Sequence, residues 1–334
     1  MIRPFAFAFL VVTAAPSLPA QAPDTVSITE WTVPWEGTRP RDPYLDAQGR
    51  VWFTGQEGNY IAYLEPRTGQ FKRFDLAPGT NAHNVVVGPD QMVWYTGNRN
   101  GTIGRLNPAD GQIKSFPVPE NVNDPHTMTF DRAGNAWFTA QQAGYVGRLD
   151  PRSGQFHLVK VPTPNARPYG ISIDSKGNVW FNEFGTNKIG MINPRTMALR
   201  EFTLPDPRTR DRRIAITSDD RIWYGDYTRG YLGMLDPATG QVKEWQAPSA
   251  AESLPYAMTV DDRDRLWLVE TGPQPNQLVG FDPKTQRFFS VTPIAKSGGG
   301  TVRHMIYDRT TRAIWFGTDA NTIGRASITQ QLNP

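Results

Sequence analysis

Seven polar residues keep one distance from seven tryptophans, and together they carry most of the chemistry this sequence offers. Eleven positions before Trp52, Trp94, Trp137, Trp180, Trp223, Trp267 and Trp315 stand Arg41, His83, His126, Tyr169, Arg212, Tyr256 and His304. All seven donate or accept hydrogen bonds. Three of the four histidines belong to this set, and the fourth, His157, is assigned no role. An imidazole titrates near neutral pH and suits proton abstraction, whereas arginine and tyrosine suit the binding of a polar substrate. Three places after the tryptophans come Gly55, Gly97, Ala140, Glu183, Asp226, Glu270 and Thr318, and one place further Gln56, Asn98, Gln141, Phe184, Tyr227, Thr271 and Asp319. Carboxylates beside imidazoles can hold a divalent cation or orient a base.

Such a set meets in space only if the chain is a repeat that closes on itself. The tryptophans recur at spacings of 42, 43, 43, 43, 44 and 48 residues, and an acidic or amide residue followed by proline keeps step at Glu65-Pro66, Asn107-Pro108, Asp150-Pro151, Asn193-Pro194, Asp236-Pro237 and Asp282-Pro283. Two independent marks with one period define seven copies. In the copy around Trp180, turn residues separate four short strands at Tyr169–Ile173, Asn178–Phe184, Lys188–Asn193 and Met197–Leu204. The second strand is continuously apolar where a sheet with one wet face would alternate, so both its faces are buried. The expected fold is all-β, a seven-bladed β-propeller with four-stranded blades. The first strand of each blade then lines the central channel, and the seven polar residues ring one of its mouths. The residues after each tryptophan form an outer ring on the same face.

The two ends have complementary defects. Residues Thr25 to Pro34 resemble the fourth strand of a blade with no blade before them, and the last copy stops after its third strand. The N-terminal strand is therefore expected to complete the last blade and remove its open edge. Ahead of it, Met1-Ile2-Arg3, an apolar run from Phe5 to Ala15 and Ala20-Gln21-Ala22 have the layout of a secretory signal, leaving residues 23–334 as one propeller domain. A periplasmic or secreted monomer is expected, with no membrane span after cleavage.

Composition narrows the chemistry. Cysteine is absent, which removes disulfides, thiolate zinc sites and cysteine nucleophiles. The 35 basic and 32 acidic residues are scattered without runs, so no basic stripe suggests nucleic acid, and the expected partner is a small molecule.

The motifs Pro-Tyr-Gly-Ile (168–171), Asn-Val-Trp-Phe (178–181) and Asn-Lys-Ile-Gly (187–190) resemble the blade repeat of the virginiamycin B lyase family. The resemblance covers all seven copies. It implies an elimination that opens the ester of a cyclic depsipeptide without water, in which magnesium held by carboxylates polarises a carbonyl and a histidine removes the adjacent proton. Transferred position by position, the base is His304 and one metal carboxylate is Asp319. Val302 stands where the family has a second carboxylate, and Tyr256 where it has a further histidine. A rotated version of the constellation lies in the third copy, where Asp124 precedes His126, His83 lies one blade earlier, and Gln141 replaces the second carboxylate.

Three function classes follow. The first is a metal-assisted lyase on a cyclic ester or lactone. The second is a propeller lactonase, with Glu183, Asp226 and Glu270 around a divalent ion, calcium being the alternative to magnesium. The third is a non-catalytic binding propeller.

Overall fold

The computed structural model describes residues 25–119, 122–297 and 300–329. The signal expected at 1–22 lies outside the described residues. Seven four-stranded antiparallel sheets are present. Blades one to six run in chain order from inner to outer strand and occupy 40–75, 82–117, 125–160, 168–203, 211–246 and 255–293. Blade seven takes its inner strands from Val302–Asp308, Ala313–Thr318 and Thr322–Thr329. Its outermost strand is Thr25–Thr32, which pairs antiparallel with Thr322–Thr329.

The second strand of every blade is buried along its whole length, as the unbroken apolar runs require. The outer strands alternate between exposed and half-buried residues. Apolar clusters form between blades rather than within them. Trp94 of blade two packs with Met128 and Phe138 of blade three, and Val51 and Phe53 of blade one pack with Trp315 and Ile323 of blade seven, which seals the ring. The repeated third-strand glycine has a steric cause: a Cβ at Gly190 would lie 2.0 Å from the Phe181 ring on the paired strand.

Each blade locks its first hairpin with the tryptophan. The indole N–H of Trp52, Trp137, Trp180 and Trp267 donates to Asp46, Asp131, Asp174 and Asp261, six residues earlier, at 2.7–3.0 Å. Blade five uses Thr217 and blade two uses Asp90. In blade seven the indole N–H of Trp315 has no partner among the described residues. The reason is length. In blades one to six the tryptophan faces the residue eight before it, as Trp180 faces Ser172. Trp315 faces Ile306, nine before it, because the Asp308–Ala313 turn holds one residue more.

Candidate functional site

Every inner strand carries a register shift immediately after it enters the channel, between Arg41 and Tyr44 in blade one and between Pro168 and Ile171 in blade four. Such a bulge re-aims side chains. Here it turns two successive residues per blade towards the axis and creates two stacked layers. In blades one to six the upper layer consists of the expected residues Arg41, His83, His126, Tyr169, Arg212 and Tyr256. In blade seven the extra hairpin residue moves the register by one, so Arg303 and not His304 occupies the upper layer. His304 belongs to the lower layer with Asp42, Asn84, Thr127 and Arg213. It lines a cavity of about 450 Å³ that opens on the opposite face beside Ser175, Ser218 and Arg309. The expectation that His304 sits on the ring mouth is thereby corrected.

The upper layer is closely packed. The His83 and His126 rings lie 3.5 Å apart between centres, and His126 lies 4.2 Å from Tyr169. Tyr169 and Tyr256 share a short hydroxyl–hydroxyl hydrogen bond across blade five. The Arg212 guanidinium stacks over Tyr227, Phe184 and Tyr256 at 3.9, 4.3 and 4.5 Å. Hydroxyls of the second strands fix the backbone beneath, with Thr96 donating to the His126 carbonyl and Thr139 to that of Tyr169, both at 2.8 Å.

Below, one buried anion ties the layers together. Asp42, whose backbone has a positive φ of 49°, accepts from Arg41 Nε at 3.2 Å, Arg213 Nη2 at 3.3 Å and Asn84 Nδ2 at 3.0 Å. Arg213 crosses the channel, donating also to Thr127 Oγ1 at 3.2 Å and to the Arg303 carbonyl at 3.1 Å. Arg303 forks onto Asp319, with Nε 3.0 Å from Oδ1 and Nη2 2.6 Å from Oδ2. The mouth thus gathers four guanidiniums against two carboxylates. Two guanidinium nitrogens, Arg41 Nη2 and Arg212 Nε, are buried with no hydrogen-bond partner among the described residues.

Protonation follows from this imbalance. Burial works against the Asp42 carboxylate, but Arg41 and Arg213 hold it well below the usual carboxylate range. Burial alone would raise the Tyr256 phenol; Arg41, Arg213, Arg212 and Arg303 outweigh it and bring the group down to about 8. Its partner Tyr169 is pushed up by burial and by Tyr256. Burial and the nearby arginines keep His83 neutral, and burial with the neighbouring His83 and Arg213 does the same for His126. His304 falls to about 4 through burial and Arg213. All three imidazoles are uncharged at neutral pH, and weak bases.

The carboxylates do not assemble a cation site. Among the described residues no group of three or more histidine, aspartate or glutamate side chains is placed to hold a metal ion. Asp319 is taken by Arg303. Asp124 accepts from the backbone N–H groups of Gln142 and Ala143. Glu270, fully buried, accepts from Ser249 N at 2.8 Å and Ser249 Oγ at 2.6 Å. Asp226 is bound by Arg229, and burial followed by Glu201 pushes Glu183 up to about 8. As placed, Asp319, Asp124 and Glu270 lie apart and each serves a guanidinium, an amide or a hydroxyl, an arrangement that does not fit magnesium or calcium among the described residues.

Sequence reasoning missed Asp42, Arg213 and Arg303. The ring offset stops one residue short of the first two, and a fixed offset from tryptophan reaches the third only where the hairpin has the common length. The signal for Arg303 lay in blade seven, where the aspartate before the tryptophan is seven residues away, at Asp308, instead of six.

Fold and site together define a seven-bladed propeller whose channel is closed at one mouth by an arginine- and tyrosine-rich plug. The family model described as the virginiamycin B lyase family matches residues 20–280, and the chain belongs to that family. Virginiamycin B lyase from Staphylococcus aureus is similar in structure, with a TM-score of 0.82 at 23% identity over 91% of this chain and 99% of that one. A catalytically inactive variant of that enzyme with quinupristin gives a TM-score of 0.83 at 23% identity, over 91% of this chain and 99% of that one. A streptogramin B lyase structure gives 0.81 at 22% identity, over 91% and 98%. No curated protein matches the sequence.

Proposed function

We propose that the plugged mouth is the active site of a lyase-type enzyme that opens an ester in a small cyclic molecule by elimination. A base takes the proton from the carbon next to a carbonyl, the freed electron pair forms a double bond to the neighbouring carbon, and the C–O bond there breaks to release a carboxylate. No water is consumed. The observation that carries this reading is the position of Tyr256, whose hydroxyl meets that of Tyr169 inside a cluster of four guanidiniums. A phenol lowered by surrounding guanidiniums ionises more readily than an ordinary tyrosine, and its phenolate is a stronger base than any of the three depressed imidazoles. The family and the lyase-like neighbours support the reaction class. Tyr256 is 1% exposed, and the half-buried Arg212 stacks on its ring, so a substrate would meet this guanidinium beside the phenol. The signal-like layout of residues 1–22 supports the further proposal that the protein acts outside the cytoplasm, secreted or periplasmic, as a monomer.

The test is mass analysis of a cyclic depsipeptide ester after incubation with purified protein. Elimination gives a linear product of unchanged mass with a new alkene. A product heavier by one water would instead make the protein a hydrolase, and no turnover across a panel of such esters would leave a binding propeller.

A further inference from the structure

The two unpartnered guanidinium nitrogens lie at the mouth, and both are on residues that no ion pair fully occupies. Arg41 is 4% exposed; its Nε serves Asp42 and its Nη1 donates to Gln56 Oε1 at 2.8 Å, which leaves Nη2 with nothing. Among the described residues Arg212 is held by aromatic rings, and its Nε is likewise buried with no hydrogen-bond partner there. A buried polar group without a partner costs stability unless something fills it, and buried unsatisfied donors are rare enough to need a cause. Both residues converge on Tyr256: Arg41 acts on its ionisation and Arg212 stacks on its ring, while Arg303 lies 5.8 Å from the same ring. The carboxylates that would recruit a divalent cation are meanwhile engaged.

We propose that Arg41 Nη2 and Arg212 Nε, with Arg303 at the edge, form an oxyanion site that takes a carboxylate or enolate oxygen of the substrate. Guanidinium groups here do the electrostatic task that a divalent cation does in the mechanism implied by the resemblance. Guanidinium suits the role because it stays charged when desolvated and its fork matches a carboxylate. Fixed cations aimed at the place where negative charge develops also need no reorganisation during the reaction. The inference rests on reading this mouth as the active site, but its test does not depend on turnover.

The probe is acetate, with acetamide as the uncharged comparator, titrated into the full-length protein before and after dialysis against a chelator. Chemical-shift changes of the arginine side-chain Nε signals report binding. Acetate is expected to bind saturably and acetamide at least tenfold more weakly, with no more than a twofold change on chelation or on adding magnesium. Arg212→Gln, which breaks no ion pair, should weaken acetate at least fivefold. Arg41→Gln is tested beside Arg41→Lys, which keeps a positive charge opposite Asp42 so that a folded variant is available but lacks the guanidinium fork; both should weaken acetate at least fivefold. Equal binding of acetate and acetamide, binding that requires magnesium, or binding untouched by both arginine substitutions would overturn the proposal. Acetate binding without any ester turnover would support this site while refuting the lyase reading. Turnover that is abolished by chelation, with no acetate binding, would do the reverse.

Discussion

Asp42→Asn is the sharpest probe of the plug. The substitution keeps shape and volume, so packing is unchanged and the effect is electrostatic. Asp42 is fully buried and accepts three hydrogen bonds at 3.0–3.3 Å, two of them from the guanidiniums of Arg41 and Arg213, which are 4% and 3% exposed. Removing one partner from a buried ion cluster costs about 3–5 kcal/mol, because the remaining charges stay buried without compensation. That is a large part of the roughly 5–15 kcal/mol by which native proteins are stable. With a urea slope of a few kcal/mol per molar, the unfolding midpoint should drop by about 1 M, followed by fluorescence of the ten tryptophans. The pH dependence has a definite sign. The folded carboxyl is held below its unfolded value, so its contribution is present above the ordinary carboxylate range and is lost as pH falls through that range and below it. The gap between wild type and variant should therefore be widest at neutral pH and close in acid. A loss under about 1 kcal/mol at pH 7, or a gap that persists unchanged at acid pH, would show that Asp42 is not the charge that balances the arginines.

Three further outcomes are expected. Tyr256→Phe should reduce turnover of an identified ester by about a hundredfold or more with the fold intact, and wild-type activity should rise with pH towards about 8 as the phenol ionises; His304→Ala, below the mouth, should keep at least half the activity. Burial and Glu201 raise the Glu183 carboxyl to about 8, so its neutral form is favoured in the fold and stability should fall as pH climbs from the ordinary glutamate range towards that value; Glu183→Gln should flatten this slope, measured as melting temperature against pH. Trp180→Phe should cost about 1–2 kcal/mol more than Trp315→Phe, because the indole N–H of Trp180 donates to Asp174 at 2.9 Å and that of Trp315 donates to nothing, and equal losses in chemical denaturation would count against the hairpin lock.

The architecture was legible because its marks are local and repeated. Tryptophan and the acid–proline pair each recur once per blade, and the apolar second strand records burial on both faces. Six members of the ring could be placed for the same reason: six first hairpins have one length, so a fixed offset from tryptophan points to one height in the channel. The seventh failed where that length changes. Of the wide interval before Trp315, one added residue sits in the hairpin itself and exchanges His304 for Arg303. The ion cluster beneath the ring was not legible. Its central contact joins Asp42 to Arg213 across 171 residues of sequence, and nothing near either residue announces the other. Likewise, the carboxylates were read by type as cation ligands, but which of them remains free depends on amides and guanidiniums brought in by neighbouring loops.

The pairing of Thr25–Thr32 with Thr322–Thr329 has a consequence for how the molecule comes into being. The first strand of the described chain to leave the ribosome is the last to be used. Until some three hundred residues have followed it, blades one to six can only form an open arc, with the flank of blade one bare and the edge of Thr322–Thr329 not yet made. The tail end of synthesis then supplies both the missing partner and the flank-to-flank seal in one event. A chain without the final blade therefore leaves both the flank of blade one and the strand Thr25–Thr32 without the surfaces they pack on.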